Sequence, residues 1–424
     1  MIVELINTGS ELMLGRVLNT HQQWLCRRLA DLGYVVSRQV AVADTGAAIQ
    51  QAVRESLGRA GLVITTGGLG PTSDDLTRDL IAEMLGRSLS EDAAVLAQIK
   101  TFFDMRNRPM PERTRVQALI PEGALVLRNP HGTAPGLAMK INPNPFRSDG
   151  KATWLLMLPG PPRELRPMFS ESVVPLLKRE LPLEESFISA TLRITGLGES
   201  LVEERIKEHL CDLVAAGLDL GYCAHPGQVD VRIAARGAKA EVMVNAAQKI
   251  VQECLNEHIF AREEQELASV VIEQLKQRRQ TLAVAESCTG GYIANQLTNV
   301  PGASAVFLAG LVTYSNAAKQ SLLGVPAEVI DQHGAVSEQV AQLMAEGAKS
   351  RQNADYALSV TGIAGPDGGS PAKPVGTVFV GMAGPFETRV RHYLNPFDRV
   401  TFKDVTAQQA LNMLRRKLAP EKKS

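Results

Sequence analysis

The sequence has no charge bias: 45 basic and 45 acidic residues cancel among 424. No basic stripe or acidic tail stands out, so direct binding to nucleic acid or to an anionic membrane surface is not expected. Long apolar runs are missing as well. None reaches the roughly 20 residues of a membrane-spanning helix. The opening Met1-Ile2-Val3-Glu4-Leu5 lacks the basic-then-apolar pattern of a signal peptide. Cysteine is sparse: Cys26, Cys211, Cys223, Cys254 and Cys288 are scattered and odd in number. That fits neither a disulfide framework nor a Cys-x-x-Cys metal site. Together these absences predict a cytoplasmic protein in a reducing compartment. What is present is typical of a globular chain, with 45% hydrophobic and 21% charged residues. The length suggests roughly two to four domains.

Strands alternate with helices through the first 170 residues. Ile2 to Asn7 reads as a strand that enters Thr8-Gly9-Ser10-Glu11. Thr20 to Leu32 has helical spacing, with Trp24, Leu25, Leu29 and Leu32 on one face and Gly33 as a stop. Val35 to Val42 is a strand, Thr45 to Gly58 a helix and Leu62 to Thr66 a strand. This order predicts a parallel α/β sheet with its ligand beyond the carboxyl ends of the strands. Two turn-rich loops belong to the same crevice. Asn129-Pro130-His131-Gly132-Thr133-Ala134-Pro135-Gly136 precedes one strand, and Leu155-Leu156-Met157-Leu158 runs into Pro159-Gly160-Pro161-Pro162, with a helix from about Arg163.

The densest signal is Val63-Ile64-Thr65-Thr66-Gly67-Gly68-Leu69-Gly70-Pro71-Thr72-Ser73-Asp74-Asp75-Leu76-Thr77. A buried strand ends in glycines that let backbone N–H groups approach an anion, and a helix opens at two carboxylates. The hydroxyls of Thr66, Thr72, Ser73 and Thr77 can donate to phosphate oxygens, and Asp74 and Asp75 can hold a hard cation against them. One Gly and one Asp would read only as a helix cap. This density reads as a phosphate and metal site.

From Ser189 the texture changes. Strands at Thr191–Thr195, Leu218–Ala224 and Val229–Ala235, with helices at Gly198–His209 and Glu241–Asn256, form a small α+β unit without a catalytic cluster, suited to packing. A charged amphipathic helix, Glu263 to Arg279, leads into a last unit. There Thr281–Ala285 enters Glu286-Ser287-Cys288-Thr289-Gly290-Gly291, a second anion-binding candidate, and Ala357–Val360 enters Thr361-Gly362-Ile363-Ala364-Gly365-Pro366. A strand from Val306 to Val312 links Ser304 with Tyr314, and the turn after it is expected to return Lys319. A desolvated lysine can serve as base, a tyrosine can relay a proton and a serine oxygen can attack a carbonyl. Cys288 invites a nucleophile reading, but a small buried side chain in the turn is the simpler one.

Taken together, these motifs make the chain resemble the CinA family, the competence/damage-inducible proteins, over nearly its whole length. Residues 1–170 are similar to the domain shared with molybdopterin-binding proteins, through Thr8-Gly9-Ser10-Glu11, Gly67-Gly68-Leu69-Gly70-Pro71-Thr72 with Asp74-Asp75, Gly132-Thr133-Ala134-Pro135-Gly136 and Pro159-Gly160-Pro161-Pro162. Residues 171–260 resemble the family's linker domain. Residues 261–424 are similar to the nicotinamide mononucleotide deamidase domain, through Ala285-Glu286-Ser287-Cys288-Thr289-Gly290-Gly291, Tyr314-Ser315-Asn316 with Lys319, Leu323-Gly324-Val325, His333-Gly334-Ala335-Val336-Ser337 and Thr361-Gly362-Ile363-Ala364-Gly365-Pro366.

The resemblance implies an α/β fold of two three-layer αβα domains joined by a small α+β domain, a homodimer, and a bifunctional hydrolase. The C-terminal domain would deamidate nicotinamide mononucleotide to nicotinate mononucleotide and ammonia, without a cofactor. Ser304 is implied as its nucleophile, with Tyr314 and Lys319 activating it. Ser287, Thr289, Gly290, Thr361, Gly362 and Arg399 would contact substrate. The N-terminal domain would cleave ADP-ribose to AMP and ribose 5-phosphate with a divalent metal ion (Mg2+, Mn2+ or Co2+). Its implied metal residues are Asp74, Asp75 and Glu11. Its implied substrate contacts are Thr8, Gly9, Ser10, Gly67, Gly68, Gly70, Thr72, Asn129, Gly132, Thr133 and Gly160. Four positions depart from the usual family pattern, Thr114 and His21 in the first domain and Phe397 and Lys403 in the last. A non-catalytic pterin- or nucleotide-binding protein and a competence or DNA-damage accessory are the alternatives. The pairing of Asp74 with Asp75 favours turnover.

Overall fold

The computed structural model describes residues 1–262 and 265–419. The chain divides into two compact units, Met1–Phe187 and Ile188–Ser424. Among the described residues no helix is long and apolar enough to cross a membrane.

In the first unit Val3–Thr8, Leu62–Thr66 and Thr153–Leu158 are buried along their whole lengths. Such continuous burial marks central strands covered on both faces. The sheet runs Val36–Val42, Val3–Thr8, Leu62–Thr66, Thr153–Leu158, Gly136–Ile141, Leu125–Leu127. The first four strands are parallel and the last two antiparallel. Side chains alternate between two cores. Ile6, Val63 and Leu155 meet Ile49 and Val53 of the helix Gly46–Leu57, while Leu5, Ile64 and Leu156 meet Leu25 and Leu29 of the helix Thr20–Asp31. The unit is a three-layer αβα sandwich. Register pairs Asn7 with Thr66 and Thr66 with Leu158, so three loops leave the sheet side by side.

After the helix Pro162–Met168 the chain continues through a π-helical turn, Phe169–Val173, into the helix Val174–Glu180. Phe169, Val173, Leu176 and Leu177 join the same core as Leu156. The division expected after residue 170 therefore falls inside one helical segment, and the first unit runs on to Phe187.

The second unit holds two sheets. A four-stranded sheet, ordered Asp219–His225, Gln228–Arg236, Phe187–Thr195, Ile259–Arg262, packs against the helices Glu199–Ala215 and Ala240–Leu255. Buried Arg193 donates to Asp230 at 3.2 Å and to Glu266 at 3.0 Å, which fastens this sheet to the lead-in of the last domain. The helix expected over Glu263–Arg279 is Leu267–Arg278, ended by Arg279 at φ 55. Glu263 and Glu264 lie outside the described residues.

The last sheet is ordered Phe307–Val312, Leu282–Glu286, Tyr356–Gly362, Thr377–Ala383, Thr388–Leu394. Its first three strands are parallel and its last two antiparallel. The helices Leu267–Arg278 and Arg399–Leu418 cover one face and Glu338–Gln352 the other, so this domain too is an αβα sandwich. Ser304 precedes Phe307 at the amino edge of this sheet, whereas Thr313 and Tyr314 follow Val312 at the carboxyl edge.

Candidate active sites

Register places Glu286 beside Val312 and Val360, so the turns after three parallel strands converge. Ser287, Tyr314, Thr361 and Gly362 come together there with Lys319, around a cavity of about 300 Å³. Lys319 lies in the helix Asn316–Leu323, whose first turn is capped by Ser315, its hydroxyl oxygen accepting from the Ala318 N–H at 3.1 Å. The lysine side chain is 1% exposed. Its Nζ lies 3.1 Å from Ser287 Oγ, 2.9 Å from the Thr313 carbonyl and 3.4 Å from the Tyr314 carbonyl.

Among the described residues no carboxylate pairs with this amine. The buried Glu286 carboxylate instead accepts from the N–H groups of Gly291, Ile293 and Ala294 at 2.8–3.1 Å, capping the helix Tyr292–Thr298. Burial of Lys319 without a counter-ion lowers its pKa. Burial acts the other way on Cys288, pushing its thiol up to about 12. A thiol so hard to ionise is an inert filler rather than a nucleophile.

At the mouth of the pocket Arg399 donates from Nη1 to the Gly365 carbonyl at 2.8 Å and from Nη2 to the Tyr314 hydroxyl at 3.0 Å. The guanidinium is thereby held over the cavity. Thr361 Oγ1 donates to the Ala335 carbonyl at 2.8 Å, fixing the loop that forms the opposite wall.

The expected trio is not assembled within the chain. A six-residue strand separates Ser304 from Tyr314, about 20 Å along the sheet. Ser304 is exposed at the far edge, and Ser287 is the hydroxyl beside Lys319. Thr289 and Gly290 also lie outside the lining: Thr289 is fully buried, and Gly290 supplies a φ of 62 to the turn. Asn316 and Asp367 line the cavity and were not anticipated. Asn316 adjoins the quoted Tyr-Ser-Asn motif, but Asp367 had no distinguishing signal.

In the first unit the converging loops enclose a cavity of about 580 Å³ lined by Thr8, Gly9, Gly67, Gly68, Gly70, Thr133 and Gly160. Close approach is built in. A Cβ on Gly67 would stand 2.7 Å from the Thr8 carbonyl, and one on Gly68 2.0 Å from Thr77 Oγ1. Both glycines have positive φ, 96 and 67. Gln117, buried, donates to the Leu69 carbonyl at 3.1 Å and braces the glycine loop from behind.

Glu11, Asp74 and Asp75 share this lining with Asp44 and Glu164, which were not anticipated as site residues. Asp75 Oδ2 accepts from the Thr72 N–H at 2.9 Å and from its hydroxyl, which leaves Oδ1 open. Among the described residues no three His, Cys, Asp or Glu side chains form a ready-made metal cage. Glu11 and Asp74 are exposed and Asp75 half-buried, and such hard-oxygen donors without a cage fit a divalent ion that arrives with phosphate, as Mg2+ commonly does on one or two carboxylates. Three expected contacts serve the walls instead. Asn129 donates to Glu164 at 2.8 Å and to the Ala134 carbonyl at 2.7 Å, Gly132 lies against Glu164, and Ser10 exchanges hydrogen bonds with Asp44. Thr72 is spent on Asp75.

Known proteins match both halves of this arrangement. The family described as "Probable molybdopterin binding domain" matches residues 4–179, "Damage-inducible protein CinA KH domain" residues 189–261, and "CinA C-terminal domain" residues 264–418. The putative competence-damage inducible protein of Caldicellulosiruptor bescii is 43% identical over 423 residues, 99% of each chain. The CinA-like protein of Akkermansia muciniphila is 43% identical over 412 residues, 96% of this chain and 95% of its own. The crystal structure of competence/damage inducible protein CihA from Agrobacterium tumefaciens is 43% identical and covers 35% of this chain and 91% of its own, with a TM-score of 0.34.

Proposed function

The chain belongs to the CinA family of competence-damage inducible proteins, and from that premise we propose that its C-terminal domain is an amidohydrolase for nicotinamide mononucleotide. The observation that carries this reading is the buried Lys319 amine 3.1 Å from Ser287 Oγ. A neutral amine has two N–H donors and one lone pair. The carbonyls of Thr313 and Tyr314 take the donors, so the lone pair faces the Ser287 hydroxyl. As Lys319 accepts that proton, Oγ attacks the carboxamide carbon. The resulting ammonium returns the proton to the departing nitrogen, ammonia leaves, and an ester on Ser287 remains. Water, deprotonated by the same amine, then releases the carboxylate and restores the hydroxyl. Arg399 at the pocket mouth suits the substrate phosphate, since a guanidinium fork binds phosphate bidentately. Ammonia release from nicotinamide mononucleotide tests the reading, and a Lys319→Ala protein that retains wild-type turnover would overturn it.

A second activity is favoured by the other pocket. Glycines at strand ends opposite Asp74 and Asp75 suit a pyrophosphate held with a divalent ion. We propose that this domain hydrolyses ADP-ribose to AMP and ribose 5-phosphate. The metal would polarise phosphorus–oxygen bonds and supply an activated water. The chain's own part is to cradle phosphate on backbone N–H groups and to orient the ion through Asp74, Asp75 and Glu11. Chelator-sensitive release of AMP that disappears in Asp74→Ala plus Asp75→Ala is the expected result. Undiminished release in that protein would remove both carboxylates from the mechanism. The cytoplasmic homodimer is part of the same proposal, and sedimentation of a monomer at micromolar concentration would contradict it.

A further inference from the structure

The cations of the C-terminal domain are unevenly placed. Near the end of the sheet away from Lys319, the strand Thr388–Leu394 and the last turns of the helix Arg399–Leu418 enclose another cavity, of about 280 Å³. Met382 in its wall pairs with Leu358, near the start of the strand whose end carries Thr361 in the hydrolytic pocket. Four lining side chains are cationic, Arg389, Arg391, Arg416 and Lys417, and among the described residues no carboxylate lines it. In a chain with equal numbers of acidic and basic residues this is a marked local excess.

Two carboxylates reach these groups from outside the lining. Glu387 accepts from Arg389 at 2.8 Å and from Lys417 at 3.0 Å, and Glu257 accepts from Arg416 at 2.8 Å. Arg391 meets no acidic side chain among the described residues, and Arg416 Nε is buried without a hydrogen-bond partner. The floor differs in character. Met382 and Met413 are buried there, and Tyr393 packs against the core beside them. Arg389, Arg391 and Tyr393 alternate along one strand, so they share one face, cations toward the rim and ring toward the floor.

A cationic rim over an apolar and aromatic floor complements a planar ring that carries a phosphate. Guanidinium groups bind phosphate bidentately, and a ring stacks on tyrosine and methionine. The volume lies just below the usual range of small-molecule sites, about 300–1,000 Å³, which fits one nucleotide unit rather than two. We propose that this cavity is a second binding site for a nucleoside monophosphate, distinct from both hydrolytic pockets, with Arg391, Arg416 and Lys417 on the phosphate and Tyr393 under the base.

Hydrogen exchange on the full chain, with AMP as probe, tests it. AMP is expected to protect residues 388–394 and 409–419 in the wild type and in Arg399→Ala, and to lose that protection in Arg391→Glu. Arg391→Glu breaks no ion pair, and an unchanged thermal melt checks its fold. Should it not fold, Arg391→Ala is expected to weaken AMP at least tenfold. Protection that persists in the folded Arg391 variant, its absence from the wild type, or its loss in Arg399→Ala would overturn the site. Equal protection by inorganic phosphate at the same concentration would overturn the nucleoside part.

Discussion

The pocket around Lys319 and the pocket around Gly67 both sit beyond the carboxyl ends of parallel strands, yet they hold their chemistry in different places. In the first, a single buried amine and the Ser287 hydroxyl already stand 3.1 Å apart. In the second, glycine backbone and carboxylates ranging from exposed to buried surround a cavity nearly twice as large, with no metal cage among the described residues. The smaller site is preorganised by burial, which lowers the pKa of its lysine. The larger one is completed by what enters it. On the proposed readings, one activity depends on a few side chains and on pH, the other on loop shape and on a divalent ion.

Substitutions at the buried pair should have the largest effects. Lys319→Ala should lower kcat for nicotinamide mononucleotide by about 10³-fold or more, since base and proton donor go together. ADP-ribose turnover measured on the same protein should be unchanged. Asp74→Ala plus Asp75→Ala should do the reverse, with about 10²-fold or greater loss of metal-dependent AMP release and an intact deamidase. If either change damages both reactions, the two pockets are not independent.

Gly68→Ala sharpens the contrast on the backbone side. The added Cβ would lie 2.0 Å from Thr77 Oγ1 at a φ of 67. A cost of about 1–3 kcal/mol in unfolding free energy is expected, with loss of ADP-ribose turnover and no change in deamidation. Urea denaturation and the two assays check this.

The pH dependence should be gentler and confined to one site. Lys319 has a lowered pKa because it is buried, and in the proposed mechanism it acts as base only when neutral. Deamidation should rise with pH and level off below the ordinary lysine value of about 10.4. The linkage has the same sign. Between the lowered folded value and the unfolded one, the unfolded chain binds more protons, so this group's contribution to stability grows as pH rises through that window. The smallest effect should come from Cys288→Ala, within a few-fold of wild type, because a thiol pushed up to about 12 carries no thiolate at neutral pH.

The contrast also explains what could be read from the sequence. The parallel α/β sheet of the first unit was legible because apolar runs alternate with helical periods, as at Leu62–Thr66 followed by Thr77–Met84, and the resemblance supplied the three-layer form of both sandwiches. The Gly67 loop was legible because its parts are contiguous. The Lys319 site is assembled from three strand ends, and within one chain proximity in sequence does not bring Ser304 to it. Ser304 and Tyr314 flank one strand, and a strand carries its two ends apart rather than together. Ser287 is 32 residues from Lys319 and becomes its neighbour only through parallel pairing of their strands. Asn129 and Gly132 were expected at the ligand because they sit in a turn-rich loop. Their contacts with Glu164 are long-range, and no local pattern distinguishes a wall from a lining.

The most direct test is the turnover of Ser287→Ala and Ser304→Ala with nicotinamide mononucleotide, measured side by side as ammonia released. Ser287→Ala should lose about 10³-fold or more while Ser304→Ala stays within a few-fold of wild type. A wild-type rate in Ser287→Ala together with an inactive Ser304→Ala would contradict the account.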